Sequence, residues 1–355
     1  MEFARSWHLL QAISLQEQRF MWMADIWLVK GRRRGSSLSK YSEKKIAICG
    51  SGLMGSGIAQ IFASQGFSVS IYSVEDSEEE VLQKVETNLN IMLIRDVITT
   101  KELQDTLSRL HITSHLEDAV TDAGFVVECI PEDMNLKQSL FEMLDKICEP
   151  HVILATNTSV MSITEIAQRA ERKERIIGTH FWNPAYLIPL VEVVQTKDTS
   201  EEVIQQTMGL LSSIGKHPIR VKKDVPGFVA NRLQHALWRE AISIVENGIA
   251  DAKTVDDSIK YGFGMRLPIL GPMENADMVG IDLTLSIHSY LLKYLENSPE
   301  PSPLLKELMH KGDLGFKAGK GFQEWTPEKI ENSRKKLNEY LLDVTNGNKK
   351  TPIKQ

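Results

Sequence analysis

The chain has 355 residues, enough for two domains with cores of their own. Its apolar share of 42% and charged share of 25% are those of an ordinary globular protein, and a formal charge of −6 argues against a general nucleic-acid binder. The three cysteines (Cys49, Cys129 and Cys148) form no CxxC pair, which excludes a disulfide framework and a zinc site; with no membrane-length apolar run, they point to a reducing, cytoplasmic setting.

Residues 1–44 differ from the rest: Trp7, Trp22 and Trp27 are here, with Arg32-Arg33-Arg34 in a set of eight basic and four acidic side chains. Glu2, Glu17 and Asp25 count against a mitochondrial presequence, and the apolar stretch Ile26 to Val29 is too short for a secretory one. We read the segment as translated sequence upstream of the true start. Consecutive arginines can be encoded by a purine-rich AGGAGG resembling a bacterial ribosome-binding site, and Leu38 follows at the distance of a TTG start codon. The segment is therefore expected to be a non-structural extension.

From Lys45 strands and helices alternate. Strands are predicted at Ile46–Cys49, Val69–Tyr72, Leu110–Thr113, Phe125–Cys129, Ile153–Thr156, Ile176–Phe181, Leu190–Val194 and His217–Val221. This alternation predicts a doubly wound, mostly parallel sheet, with ligands at the carboxyl ends of its strands. The first strand runs into Gly50-Ser51-Gly52-Leu53-Met54-Gly55 and then the helical run Ile58 to Ala63. Between strand and helix, Gly50, Gly52 and Gly55 read as a dinucleotide loop, with Leu53 and Met54 inside it. The first glycine allows the turn, the second lets the backbone approach a pyrophosphate, and the third lets helix and strand pack closely. The first 179 residues of the structured chain, 45–223, are thus expected to form a Rossmann-type domain.

Such folds hold the cofactor ribose with an acid at the end of the second strand. Here Ser73 stands in that place, followed by Val74, Glu75 and Asp76. Glu75 is the expected substitute, or Ser73 itself bonds the ribose. With Glu75 and Asp76 there to repel a 2′-phosphate and no Lys or Arg nearby to pair one, NAD is expected over NADP. Glu75 and Asp76 also suit a helix start, where acids are favoured.

At Lys223-Asp224-Val225-Pro226-Gly227 the pattern changes. A long helix is predicted from Phe228 to about Asn247, followed by helices at Thr254–Tyr261, Glu274–Val279, Leu283–Leu295 and Leu304–Lys311. Residues 224–330 are expected to be an all-helical domain, and 331–355 a polar, lysine-rich, frayed tail.

Three segments place polar residues in apolar surroundings: Ala155-Thr156-Asn157-Thr158-Ser159, Gly178-Thr179-His180-Phe181-Trp182-Asn183-Pro184 and Pro189-Leu190-Val191-Glu192-Val193-Val194. Taken singly, His180 and Glu192 could be buried hydrogen-bonded core residues, and Ser159 a helix cap. The histidines show no metal-ligand spacing, so no metal is expected.

Together with GSGLMGSGIAQ, VVECIPED, GKHPI, DVPGFVANR and the run Gly315 to Phe322, these segments make the chain resemble the L-3-hydroxyacyl-CoA dehydrogenase family, which includes 3-hydroxybutyryl-CoA dehydrogenases and lambda-crystallin. The resemblance covers about Lys45 to Trp325. It implies NAD as cofactor, a homodimer built on the helical domain, and oxidation of a 3-hydroxyl in β-oxidation chemistry. It makes His180 the base, Glu192 its orienting carboxylate, and Ser159 and Asn231 the partners of the substrate oxygens. Glu132, Lys137, Asn157 and Asn183 fall among the cofactor contacts. In the place of the family's CoA-gripping helical pair stands Val81–Arg109, in which no CoA clamp is legible; Arg95, Lys101 and Arg109 could meet phosphates, although scattered surface basics are usually just solvated. The implied substrate is a short-chain L-3-hydroxyacyl-CoA. The alternative is a non-CoA hydroxy acid such as L-gulonate or carnitine, because Pro184 to Pro189 is similar to the gulonate dehydrogenase branch. A structural crystallin-type NAD binder is the third reading, and the intact Ser159, His180, Glu192 and Asn231 set argues against it.

Protein made from the native gene is expected to begin at residue 38. An intact mass corresponding to a chain that starts at Met1 would exclude that reading.

Overall fold

In the computed structural model, residues 45–346 are described, so the reading of residues 1–44 lies outside them. The chain forms two compact units. Among the described residues, one comprises 45–229 and 338–346, and the other is Ala230–Leu337.

The first unit is built on eight strands: β1 (Lys45–Cys49), β2 (Val69–Tyr72), β3 (Leu110–Thr113), β4 (Ala123–Glu128), β5 (Ile153–Thr156), β6 (Ile176–Phe181), β7 (Leu190–Val194) and β8 (His217–Val221). Their order is β3-β2-β1-β4-β5-β6-β7-β8. The first six strands are parallel; β7 runs antiparallel to β6, and β8 is parallel to β7. The chain winds outward from β1 to β3 and then crosses back to β4 on the other side of β1. The gap above β1 and β4 is therefore the topological switch point, where sheets of this kind bind ligands.

Helices cover both faces: α1 (Leu53–Ser64), α2 (Glu78–Ile94), α3 (Thr100–Leu107), α4 (Leu116–Val120), α5 (Met134–Ile147), α6 (Ile163–Ile166) and α7 (Glu201–Ser213). Strand alternation divides the core between them. Ile46, Ile48, Phe125 and Val127 pack into one cluster with Phe62, Val81 and Leu103, while Ala47, Cys49, Val126 and Leu154 join Phe141, Leu144 and Ile166 in the other. Covering on both faces explains why the strands read as continuous apolar runs. The helical pair α2 and α3 begins with two reciprocal caps. The Ser77 hydroxyl accepts from the Glu80 amide while the Glu80 carboxylate accepts from the Ser77 amide, and Thr99 and Glu102 repeat the arrangement.

The second unit holds α8 (Ala230–Glu246), α9 (Ala252–Lys260), α10 (Pro272–Val279), α11 (Ile281–Leu291), α12 (Pro303–Lys311) and the start of α13 (Pro327–Asn346). The long helix starts two residues later than the sequence suggests. Phe228 has a left-handed backbone (φ 50°) and its side chain is buried, so the Pro226-Gly227-Phe228 turn stays with the first unit.

The expected frayed tail needs correction. Residues 331–346 continue α13. The start signals are present in Thr326, whose hydroxyl accepts from the Lys329 amide, followed by Pro327 and Glu328. Within the first unit, Leu342 is buried and Glu339 pairs with Arg95, which holds the segment in place. Burial of one apolar position outweighs the polar composition that suggested fraying. Residues 347–355 lie outside the described residues.

The lower sheet end is held by a buried ion pair. Asp145 Oδ1 lies 2.7 Å from Arg175 Nη2 and 3.1 Å from its Nε, and the same guanidinium donates to the carbonyls of Glu149 and Val152. Arg175→Ala would strand a buried carboxylate and several carbonyls. We expect a loss of about 3–5 kcal/mol in urea unfolding, and a loss under about 1 kcal/mol would show that the cluster is not structurally important.

Candidate active site

The glycine loop lies at the switch point, and its geometry explains its composition. Gly50 has φ 112°, and a Cβ there would come within 2.7 Å of the Cys129 carbonyl oxygen. A Cβ on Gly55 would overlap the Gly50 carbonyl oxygen at 1.9 Å. A Cβ on Gly52 would meet nothing within 4 Å, so the backbone there faces open space. Gly52 is the N-cap of α1; no side chain caps this end, and no acid lies in the first turn. The first amides of α1, at Leu53, Met54 and Gly55, are thus free to receive an anion beside an exposed Leu53. This open cradle fits the pyrophosphate of a dinucleotide.

Around the end of β2 the expectation changes. Ser73 is buried, with its hydroxyl 2.8 Å from Ser51 Oγ and 2.9 Å from the Asp76 carbonyl oxygen. Glu75 is exposed, whereas Asp76 turns back to the loop, its Oδ2 accepting from Ser51 Oγ at 2.6 Å. The expectation that no basic side chain lies nearby is also corrected: Lys84 Nζ is 2.6 Å from the same Asp76 oxygen. Lys84 is two turns into α2, and its long side chain reaches back toward the helix start, a contact that eight residues of separation conceal. Of the basic side chains expected in this segment, Arg95 is paired with Glu339 and Arg109 donates to the Ala63 carbonyl.

On the other side of β1, Glu128 ends β4 with its carboxylate fully buried. Oε1 accepts from Lys137 Nζ at 2.6 Å and from the Ile130 amide at 2.8 Å, and Oε2 accepts from Thr156 Oγ1 at 2.6 Å. Burial pushes the Glu128 carboxyl up, against the opposing pull of Lys137. Lys137 is itself only 1% exposed and lies 3.4 Å from Glu132. Glu132 accepts from the Thr158 hydroxyl and the Ser159 amide. Lys137 and Glu132 thus tie β4 to the loop after β5 that carries Ser159. Glu128 was not singled out from the sequence, although an acid inside an apolar strand was the same signal that marked Glu192.

Asn157 Oδ1 accepts from the Phe181 amide at 2.9 Å, joining that loop to the end of β6. Next along β6, His180 lies directly opposite Glu192 on β7. Its Nδ1 is 2.8 Å from Glu192 Oε2, and the other carboxylate oxygen accepts from the Val229 amide at 2.9 Å. His180 is 5% exposed and its imidazole packs near Trp182 and Phe228, with ring centroids 5.3 and 5.7 Å away. With Nδ1–H donated to the carboxylate, Nε2 carries the lone pair and can act as a base.

Asn183 follows at the exposed end of β6, before a cis bond to Pro184. The loop to β7 is held by Lys216, whose ammonium donates to the Ala185 and Ile188 carbonyls, and whose burial brings its pKa down to about 8. Asn231 lies in the first turn of α8, in the second unit. Among the described residues, no group of three or more His, Cys, Asp or Glu is arranged to hold a metal ion.

The 3-hydroxyacyl-CoA dehydrogenase NAD binding domain matches residues 45–225, and the C-terminal domain of the same family matches residues 227–325. The chain is 40% identical to a probable 3-hydroxybutyryl-CoA dehydrogenase of Bacillus subtilis, over 79% of this chain and 97% of that one. It is 32% identical to a 5-formyl-3-hydroxy-2-methylpyridine 4-carboxylate 5-dehydrogenase of Mesorhizobium japonicum, over 81% of this chain and 93% of that one. Among solved structures, a 5-dehydrogenase of the latter kind, described as an NAD+ dependent dismutase, superposes with a TM-score of 0.79 at 31% identity, covering 86% of this chain and 99% of that one. A 3-hydroxybutyryl-CoA dehydrogenase from Escherichia coli superposes with a TM-score of 0.67 at 34% identity, covering 79% of this chain and 59% of that one. With NAD-binding and C-terminal domains matched in sequence order, the chain belongs to the L-3-hydroxyacyl-CoA dehydrogenase family, NAD-dependent oxidoreductases that act on a CH–OH group.

Proposed function

We propose that this protein oxidises the 3-hydroxyl of a short-chain L-3-hydroxyacyl-CoA, such as 3-hydroxybutyryl-CoA, to the 3-ketoacyl-CoA in β-oxidation-type metabolism. The observation that carries the reading is the buried His180–Glu192 pair, one imidazole nitrogen donated to a fully buried carboxylate and the other free to take a proton. NAD supplies the hydride acceptor when bound. His180 removes the hydroxyl proton, and Glu192 holds the ring and stabilises its charged form. Ser159, held through its amide by Glu132, and Asn231 bond the substrate oxygens. On the cofactor side, Gly50, Gly52, Leu53, Met54 and Gly55 cradle the pyrophosphate, while Glu132, Lys137, Asn157 and Asn183 shape the nicotinamide end.

A non-CoA hydroxy acid is the second reading. It is favoured by the likeness to the pyridine-carboxylate dehydrogenase, which spans nearly that whole chain. Loss of NADH absorbance with acetoacetyl-CoA, beside free acetoacetate and dehydrogulonate, separates the two. Turnover only with the thioester supports the first reading; turnover only with a free acid overturns it in favour of the second.

A homodimer in the cytoplasm completes the proposal. Leu233, Leu237 and Trp238 on α8 are exposed in the single chain, and burying such a face on a second copy would remove it from water. The three cysteines are free, as a reducing compartment allows, and no helix among the described residues is long and apolar enough to cross a membrane. Light scattering at micromolar concentration is expected to give twice the chain mass, and a monomer would count against the dimer.

His180→Ala is expected to lower turnover by about 10²–10⁴-fold with NADH affinity nearly intact. Unchanged turnover would remove His180 from the reaction. Glu192→Gln keeps the shape but loses the charge that steadies the imidazolium, and is expected to cost about 10²-fold or more in turnover with the fold retained. Unfolding of that variant, seen by circular dichroism, would make Glu192 chiefly structural.

A further inference from the structure

The usual ribose acid is missing from the end of β2, yet the structure brings a carboxylate to the same place by another route. Ser73 cannot replace the acid by itself. Its buried hydroxyl is committed to its neighbours, accepting from the Asp76 amide at 3.1 Å while lying 2.9 Å from the Asp76 carbonyl oxygen and 2.8 Å from Ser51 Oγ. Those bonds fold residues 73–76 into a tight turn that swings the Asp76 side chain back over the glycine loop. Its Oδ2 accepts from Ser51 Oγ at 2.6 Å, and Ser51 stands between the first two glycines of that loop. Lys84 Nζ closes the arrangement at 2.6 Å from the same oxygen and 3.4 Å from the Ser51 carbonyl. The Asp76 side chain remains 25% exposed, and Oδ1 has no partner among the described residues. Glu75 is exposed, and among the described residues no hydrogen bond joins its side chain to the loop.

We propose that Asp76 is the carboxylate that accepts the adenosine ribose hydroxyls of NAD, with Ser51, Ser73 and Lys84 holding it against the glycine loop. The inference rests on the NAD-binding role of this domain and names the group in this chain that reads the ribose. A vicinal diol offers two O–H donors, and an ionised carboxylate is the acceptor that suits them. Lys84, hydrogen-bonded to Asp76, holds its carboxyl below the usual range and keeps it an acceptor at neutral pH. The same pair governs discrimination against NADP. A 2′-phosphate would meet the Asp76 carboxylate, which repels it, and the Lys84 ammonium, which attracts it. Neutralising Asp76 leaves only the attraction.

The test is fluorescence titration of NADH and NADPH onto the full-chain protein, with no substrate present. Asp76→Asn is expected to weaken NADH binding about tenfold and to tighten NADPH binding. Adding Lys84→Met to Asp76→Asn is expected to abolish the gain for NADPH. A gain of affinity arises only in a folded protein, so misfolding cannot imitate the expected result. An unchanged NADH-to-NADPH ratio in Asp76→Asn would overturn the proposal, as would Glu75→Gln weakening NADH more than Asp76→Asn does. Wild-type protein that binds neither nucleotide would overturn the NAD reading itself, a failure distinct from these.

Discussion

A fully buried carboxylate in the middle of a strand is the constraint on which the arrangement around His180 depends. Glu192 is 0% exposed, so both of its oxygens need partners. Antiparallel pairing of β6 and β7 sets His180 directly across from it, and the turn before α8 brings the Val229 amide to the second oxygen. A slip of one residue would put Val191 or Val193 opposite the imidazole and leave the charge unpaired. The register of two strands, the rotamer of the histidine and the path of the chain out of the first unit are thus tied to one ion. The left-handed Phe228 belongs to the same arrangement. Its buried ring packs beside the imidazole, and its unusual backbone delivers the next amide to the carboxylate.

The cofactor end follows a different logic, in which space and backbone count for more than side chains. Gly50 and Gly55 are required because strand, loop and helix approach too closely for a Cβ, and Gly52 keeps its outer side open. Around this cradle two buried or half-buried ion networks do the positioning. Glu128, Lys137 and Glu132 link β4 to the loop of Ser159, while Asp76 and Lys84 link the start of α2 to Ser51. Each network ends on a loop at the carboxyl end of the sheet and steadies it from behind.

The two networks also show why a likeness of motif needs the structure beside it. Lys137 stands at a position matching a cofactor contact, yet its ammonium is enclosed by Glu128 and Glu132. Arg95 and Arg109, set out as basic side chains of the helical pair, are spent on Glu339 and on the Ala63 carbonyl. Lys84, which no spacing marked, is the basic group beside the glycine loop.

The sequence by itself determined the strands and the glycine loop. Apolar runs buried on both faces of a sheet have no polar alternative, and a GxGxxG between strand and helix has few other uses. Six of the strands, such as Ile176–Phe181 and Leu190–Val194, have the bounds their residues suggest, and the helices predicted between Phe228 and Lys311 agree to within a few residues. His180 and Glu192 were legible as polar residues in apolar strands. Their pairing was legible only through the family resemblance and not from local pattern, because it rests on the antiparallel turn of β7 in a sheet whose first six strands run parallel. Tertiary structure alone decided that Asp76 rather than Glu75 faces the glycine loop, that Lys84 reaches back over two turns, and that Leu342 holds a lysine-rich segment as helix. Local pattern records what each residue prefers. Which oxygen meets which proton depends on chain segments far apart in sequence, and only the packed fold brings them within 3 Å of one another.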